Sequence, residues 1–308
     1  MNAREQAAYV FPGQGSQWLG MARDLHARSL PAREVFEEAD STLGFSLSRL
    51  CFEGPEDALR QTVNAQPAIL TVSMAYLRSG EFPSETAAPA FVAGHSLGEY
   101  TALVVAGVLA FKDALRLARE RGRLMQQAGV KHPGGMLAVI GLDQQVVRDV
   151  CDTCGIQIAN INCPGQIVVS GPTAPLAEAA ELAKARGAQR VVPLQVSGAF
   201  HSRLMESAAQ GMALAASEFA FRDATVPIVA NSTALPLTDG GALRSELLEQ
   251  LLNCVQWQKS VEYMIGQGVT TFVEIGPGQV LTGLIKRINR DVTVLSTEKK
   301  DSQRGGAR

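Results

Sequence analysis

Phe91-Val92-Ala93-Gly94-His95-Ser96-Leu97-Gly98-Glu99-Tyr100 is the stretch on which the reading of this chain turns. A short apolar run of strand length breaks into Gly-His-Ser-Leu-Gly, then continues over 101–109 as an Ala/Val/Leu-rich run that suits a buried helix. That is the context of a nucleophile elbow. Glycines on either side let backbone pass backbone, while Ser96 stands at the apex with its hydroxyl exposed. Amides at the helix start then point toward whatever the hydroxyl attacks, which favours a developing oxyanion. The competing reading is an ordinary glycine-bracketed turn with an idle serine, and the full strand-turn-helix setting weighs against it.

Composition narrows the classes around that stretch. With 308 residues the chain can bury a sizeable core, as one large domain or a large and a small one. A net charge of −2 gives no basic field for nucleic acid, and no run of like charge forms a tail. Apolar runs stop short of membrane-spanning length and the N-terminus lacks a signal-peptide core, so a soluble cytoplasmic protein is expected. Five cysteines fit reduced thiols. Cys151 and Cys154 form a CxxC, but no second pair and no spaced histidines complete a zinc site, so no metal is expected.

Upstream of the elbow, residues 7–11 read as a strand running into Pro12-Gly13-Gln14-Gly15-Ser16-Gln17 and then a helix over 18–27. The loop lacks Gly-Lys-Ser/Thr and its spacing is not GxGxxG, which excludes the common phosphate loops. It is glycine-rich for close packing, or it brings a second backbone N–H beside the nucleophile. Helices are expected over 31–40 and 55–79, the latter interrupted near Gln66-Pro67, where Gln66 either faces a pocket or serves the helix start. A polar, proline-bearing loop over 80–89 leads into the elbow strand.

Downstream, a helix over 111–126 puts Phe111, Ala114, Leu117, Ala118, Arg121 and Met125 on one stripe. An arginine in the middle of an apolar face must snorkel, pair with a protein carboxylate, or hold an anionic ligand. Its fixed fork of donors suits a small carboxylate. Beyond a boundary at 131–135 the pattern changes to strand 136–142, helix 143–154, strand 156–161, turn 162–165, strand 166–170, helix 173–186 and strand 188–196. That βαββαβ order is ferredoxin-like and reads as an inserted subdomain.

Residues 197–202 then lead to a helix over 203–216. A serine nucleophile needs a base, and the chain has four histidines: His26, His95, His132 and His201. His201 follows a glycine-containing hinge and comes after Ser96 in the order seen in α/β-hydrolases; the alternative is a histidine that caps its helix or packs at a junction. A strand at 226–230, a helix at 241–252, a strand at 271–275, Gly276-Pro277-Gly278, a helix to 288 and a strand at 292–295 complete a parallel α/β pattern.

Taken together, the 11–17 loop, the elbow, Arg121-Gly122, Asn162-Cys163-Pro164-Gly165-Gln166, Gly198-Ala199-Phe200-His201-Ser202, Val255-Gln256-Trp257 and Glu274-Ile275-Gly276-Pro277-Gly278 resemble malonyl-CoA:acyl carrier protein transacylases and the related polyketide synthase acyltransferases. The resemblance covers nearly the whole chain. It implies an α/β-hydrolase-like large domain with a parallel sheet (1–131 and 198–298) and a ferredoxin-like subdomain (132–197), while the charged, glycine-bearing composition of 299–308 predicts a disordered tail. It implies that Ser96 is acylated, that His201 is its general base, and that backbone amides of Gln14 and Leu97 hold the oxyanion. Arg121 would pair with the free malonyl carboxylate, and a backbone carbonyl at Gln250 would orient His201 in place of an aspartate. Phe200, Gln66 and Asn162 would face substrate.

The implied reaction is a ping-pong transfer of malonyl from malonyl-CoA to the phosphopantetheine thiol of an acyl carrier protein, in fatty acid or polyketide synthesis, with no bound cofactor. Gly-Ala-Phe-His resembles the His-Ala-Phe-His version associated with malonyl, and not Tyr-Ala-Ser-His, associated with methylmalonyl; Gly198 departs from the histidine. Phe200 would fill the space of a C2 methyl. Lys286, Arg287 and Arg290 either dock the acidic carrier or form a solvated helix face. Two further classes are a proofreading acyl hydrolase on the same scaffold and a non-catalytic carrier-binding subunit.

Overall fold

The structure is a computed structural model describing residues 6–81 and 88–298, so the 299–308 segment and most of the 80–89 loop lie outside the described residues. The first part of the chain gives β1 (Gln6–Phe11), α1 (Arg23–Arg28), α2 (Leu30–Leu43), α3 (Leu47–Glu53), α4 (Glu56–Arg60), α5 (Thr62–Ser79), β2 (Pro89–Gly94), α6 (Gly98–Val105) and α7 (Phe111–Lys131). A middle part gives β3 (Gly134–Ile140), α8 (Gln144–Cys154), β4 (Gln157–Cys163), β5 (Gln166–Pro172), α9 (Thr173–Ala185) and β6 (Arg190–Pro193). The last part gives α10 (Glu206–Ser217), β7 (Ile228–Val229), β8 (Pro236–Leu237), α11 (Gly240–Glu249), α12 (Trp257–Gly266), β9 (Val269–Glu274), α13 (Val280–Ile288) and β10 (Thr293–Ser296).

Two sheets result. The larger runs β10-β9-β1-β2-β7-β8, parallel throughout except for β8, which pairs antiparallel with β7. β1 and β2 lie side by side near its centre, so the loops after them open at the same carboxyl edge, where open α/β sheets hold ligands. The smaller runs β4-β5-β3-β6, all antiparallel. Its strands alternate with period two: Leu137, Val139, Ile167 and Val169 pack under α8 and α9, while Met136, Ala138 and Val168 face the main core. β4 is tethered to the last part of the chain, because Ile161 N–H donates to Val255 O and Val255 N–H donates to Ala159 O, each at 2.9 Å.

Several element boundaries differ from the sequence reading. The expected helix over 18–27 starts only at Arg23, because Gly20 (φ 96°) and Ala22 (φ 59°) take left-handed conformations that no helix contains. Pro67 does not interrupt α5; the break falls at Gln61, between α4 and α5. Proline cannot supply the N–H that the Val63 carbonyl would receive, and Arg119 Nη1 supplies it instead at 2.9 Å. α5 is then free to run through the core, buried without a gap over 65–76. The helix after His201 begins with a 3₁₀ turn over Arg203–Met205, and Asn162 belongs to β4, not to the turn after it. α7 runs through 127–131, beyond its expected end. Among the described residues, no helix is long and apolar enough to cross a membrane, and no three His, Cys, Asp or Glu side chains cluster as a metal site needs. Cys151 and Cys154, late in α8, are free thiols.

Candidate active site

The elbow is set by close backbone packing. A Cβ on Gly94 would come 1.8 Å from the Gly98 carbonyl carbon, one on Gly98 would come 2.0 Å from Phe11 O, and one on Gly13 would come 2.4 Å from His95 O. Only glycine fits at these crossings, and they bring the loop after β1 against the turn after β2. Ser96 at the apex has φ 51°, and His201 has φ 55°, both in a region that side chains avoid. Such strain persists where surrounding bonds over-determine it. For Ser96 the bonds come from Asn231: its Oδ1 accepts Ser96 N–H and its Nδ2 donates to Gly94 O, each at 2.7 Å.

Ser96 Oγ lies 2.8 Å from His201 Nε2. His201 Nδ1 lies 2.7 Å from the carbonyl oxygen of Gln250, which can only accept. The proton therefore sits on Nδ1 and leaves the Nε2 lone pair facing the serine hydroxyl. Burial, followed by the nearby Arg121 charge, pulls the His201 imidazole down to about 3, so it stays neutral at physiological pH, with its Nε2 lone pair free to accept a proton.

Arg121 comes from the apolar stripe of α7 and is 1% exposed. Its Nη1 donates to Gln66 Oε1 at 2.9 Å, and its Nη2 donates to Gln250 Oε1 at 2.8 Å and to Ser96 Oγ at 3.0 Å. Its Nε–H has no partner among the described residues, and no carboxylate forms an ion pair with it there. Of the three fates open to a buried arginine, the protein salt bridge is thus ruled out among these residues, and donors are left over for a ligand.

The three groups meet at a cavity of about 210 Å³. Gln14 and its neighbours form one wall; Met125, Met136, Val168, Leu194 and Val196 give an apolar lining; Val280, Leu281 and Leu284 at the start of α13 close another side. Phe200 and Asn162 line it. Asn162 Oδ1 is 2.9 Å from His95 Nε2, and both residues line the cavity beside Ser96. Gln66 does not line the cavity: it is fully buried behind Arg121, with Nε2 on Met125 Sδ at 3.3 Å. Among the described residues, no acceptor takes the N–H of Gln14 or of Leu97, while the Gln14 side chain is tied to Thr62 Oγ1 at 3.2 Å. Gly198 packs on α7, where an added Cβ would come 3.0 Å from Gly129 Cα, so the histidine of the related motif would press on that helix.

The three cations on α13 and just after it differ in situation. Lys286 Nζ donates to the carbonyls of Arg290 (3.3 Å) and Val292 (2.5 Å), which ties down the end of α13. Arg287 Nη1 donates to the cavity-lining Gln166 Oε1 at 2.7 Å. None of Lys286, Arg287 and Arg290 is in an ion pair among the described residues. Sequence reasoning missed Asn231 entirely, since an asparagine after a strand carries no distinguishing pattern. It also passed over Glu99, which an acidic residue at the head of an otherwise apolar helix does signal.

With this geometry in view, residues 8–304 match the model of the acyl transferase domain family. A malonyl CoA-acyl carrier protein transacylase of Bacillus subtilis is 44% identical over 300 residues, 96% of this chain and 94% of the relative. The crystal structure of an acyl-carrier-protein-S-malonyltransferase from Bartonella henselae superposes with a TM-score of 0.91 at 43% identity, covering 96% of both chains. A malonyl-transacylase solved in complex with its holo type II PKS acyl carrier protein gives a TM-score of 0.91 at 40% identity, covering 95% of this chain and 96% of that one.

Proposed function

The chain belongs to the acyl transferase domain family, and from that premise we propose that it moves malonyl groups from malonyl-CoA to the phosphopantetheine thiol of an acyl carrier protein through an ester on Ser96. The observation that carries the residue assignment is the position of Ser96 Oγ, 2.8 Å from a neutral imidazole and 3.0 Å from a guanidinium that lacks a carboxylate partner.

Ser96 Oγ gives its proton to His201 Nε2 as it attacks the thioester carbonyl carbon, and the N–H groups of Leu97 and Gln14 receive the developing oxyanion. Collapse of the tetrahedral intermediate expels the CoA sulfur, which takes the proton from His201 Nε2. The carrier's thiol then gives its proton to His201, attacks the malonyl ester, and the serine oxygen leaves with that proton. Through these steps the Gln250 carbonyl keeps the imidazole aligned, and it stabilises the imidazolium that forms twice per cycle. Arg121 receives the malonyl carboxylate through Nε–H and the Nη2–H that Ser96 gives up, which selects dicarboxylic acyl groups. Phe200 and the apolar lining limit bulk at C2. Gln66 acts behind Arg121, and Asn162 with His95 shapes the wall.

The reading needs no resident cofactor, since both reacting sulfurs arrive with their carriers, and it assigns the protein to the cytoplasm. Arg287, hydrogen-bonded to the cavity-lining Gln166, is the first candidate for contact with an acidic carrier; Lys286 and Arg290 flank it in sequence. Intact-protein mass after mixing with malonyl-CoA, then with holo carrier protein, tests the scheme. The adduct must form, must be absent in Ser96→Ala, and must pass to the carrier; release as free malonate would favour a hydrolase.

A further inference from the structure

Behind the reacting groups lies a buried acid that the mechanism above does not use. Glu99 heads α6, directly after the elbow, and is 1% exposed. The amide of Gln250 joins it to Arg121: Oε1 accepts from Arg121 Nη2 at 2.8 Å, and Nε2 donates to Glu99 Oε2. The orientation of that amide is unambiguous, because a guanidinium only donates and a carboxylate only accepts. The backbone carbonyl of the same residue aligns His201.

Glu99's other oxygen, Oε1, accepts Asn231 N–H at 3.1 Å, so both of its oxygens face donors with no lone pair to share a proton. A second buried carboxyl, Glu246, stands nearby; burial raises both carboxyls, and Glu246 raises Glu99 further, so the pair holds on to a proton. Glu246 Oε2 faces the Ser232 hydroxyl, which can accept as well as donate. Burial and Glu246 together lift Glu99 to about 8, which by itself favours the proton there; against that, only N–H donors face Glu99 while a hydroxyl able to accept faces Glu246, and this pattern argues for the proton on Glu246 and the negative charge on Glu99.

We propose, resting on the malonyl-transfer reading, that Glu99 is a positioning residue that sets acyl selectivity: it is the countercharge of Arg121, held one amide away by Gln250. A buried guanidinium with no countercharge is strongly unfavourable. A carboxylate in direct contact would satisfy it, but would occupy the donors that an acyl carboxylate needs. The amide spacer transmits the attraction and leaves Nε–H without a protein acceptor among the described residues. Gln66, also an amide, fills the same neutral role on Nη1.

Two variants test this against malonyl-CoA and acetyl-CoA. In Glu99→Gln, neither amide orientation accepts from both Asn231 N–H and Gln250 Nε2, and the countercharge is gone. The malonyl-to-acetyl ratio of kcat/KM is expected to fall at least tenfold, through the malonyl term. The exchange variant Glu99→Gln/Gln250→Glu repairs the hydrogen bonds: the new amide accepts from Asn231 and donates to the carboxylate now at position 250. Its one lost bond is the 3.3 Å contact from Gln250 Nε2 to Ser96 O. That variant is expected to melt near the wild type, yet to show a raised KM for malonyl-CoA and a ratio at least tenfold lower, because the carboxylate now sits on Arg121. If Glu99 only holds the fold together, Glu99→Gln depresses both substrates equally and the exchange restores the wild-type ratio; either result overturns the proposal. Should Glu99→Gln not fold, a wild-type ratio in the exchange variant is enough to overturn the proposal. Failure of the wild type to form a malonyl ester would instead overturn the malonyl-transfer reading.

Discussion

Arg121→Ala separates the carboxylate-binding role of the arginine from its structural one. The side chain is buried and donates to Gln66, Gln250 and Ser96 at 2.8–3.0 Å, so removing it disturbs the nucleophile and the residue that aligns His201 whatever the substrate. That shared loss affects acetyl and malonyl transfer alike and is expected to be about tenfold, roughly one net hydrogen bond. The malonyl group loses more. In the proposed binding mode its carboxylate takes two charge-assisted bonds, each worth about 1.5–3 kcal/mol, so about 3–6 kcal/mol should disappear and malonyl kcat/KM should fall by a further factor of roughly 10² to 10⁴. The ratio of malonyl to acetyl kcat/KM cancels the shared term and isolates the carboxylate. Single-turnover formation of acyl-Ser96 from each CoA thioester, followed by intact-protein mass, measures both rates without a carrier protein. Equal losses for the two substrates would refute the assignment and return Arg121 to a structural role.

Four further outcomes are expected. With His201 held near 3, ¹⁵N resonances of its imidazole should show Nδ1 protonated and Nε2 bare from pH 8 to pH 5; a midpoint between 6 and 7 would mean that burial and Arg121 lower the imidazole far less than expected. Because the folded value lies below the unfolded 6.5, the unfolded chain binds more protons between about 3 and 6.5. Stability contributed by this residue therefore rises with pH across that window, and His201→Gln should flatten the acid slope of Tm there. Gly98→Ala puts a methyl 2.0 Å from Phe11 O, a backbone atom that no rotamer can move, and should cost about 3 kcal/mol or more of stability; a near-wild-type denaturation midpoint would mean the elbow is looser than described. Arg119→Ala should cost about 1–2 kcal/mol by stranding the Val63 carbonyl, and much less in a Pro67→Ala background, where the helix regains its own donor. Additive losses in that double-mutant cycle would remove Arg119 from its role in α5.

Much of this protein was legible along the chain because the relevant physics is local. Glycines at 94 and 98 around a serine, between an apolar strand and an apolar helix, dictate a sharp turn wherever that segment folds, and helical geometry alone puts Arg121 on the buried face of α7. The alternation of strands and helices likewise settled an α/β class with a βαββαβ stretch inside it. What the one-dimensional pattern could not decide is anything resting on a partner far along the chain. Pro67 reads as a helix break until Arg119, 52 positions later, is seen donating to Val63. Arg121 reads equally as a salt bridge or a ligand until the fold is seen to surround it with amides and a hydroxyl instead of a carboxylate. Asn231, which pins the elbow, and Gln250, whose carbonyl and side chain face two different functional groups, have no local signature, because a single polar side chain acquires its role only from what tertiary packing brings within hydrogen-bond distance.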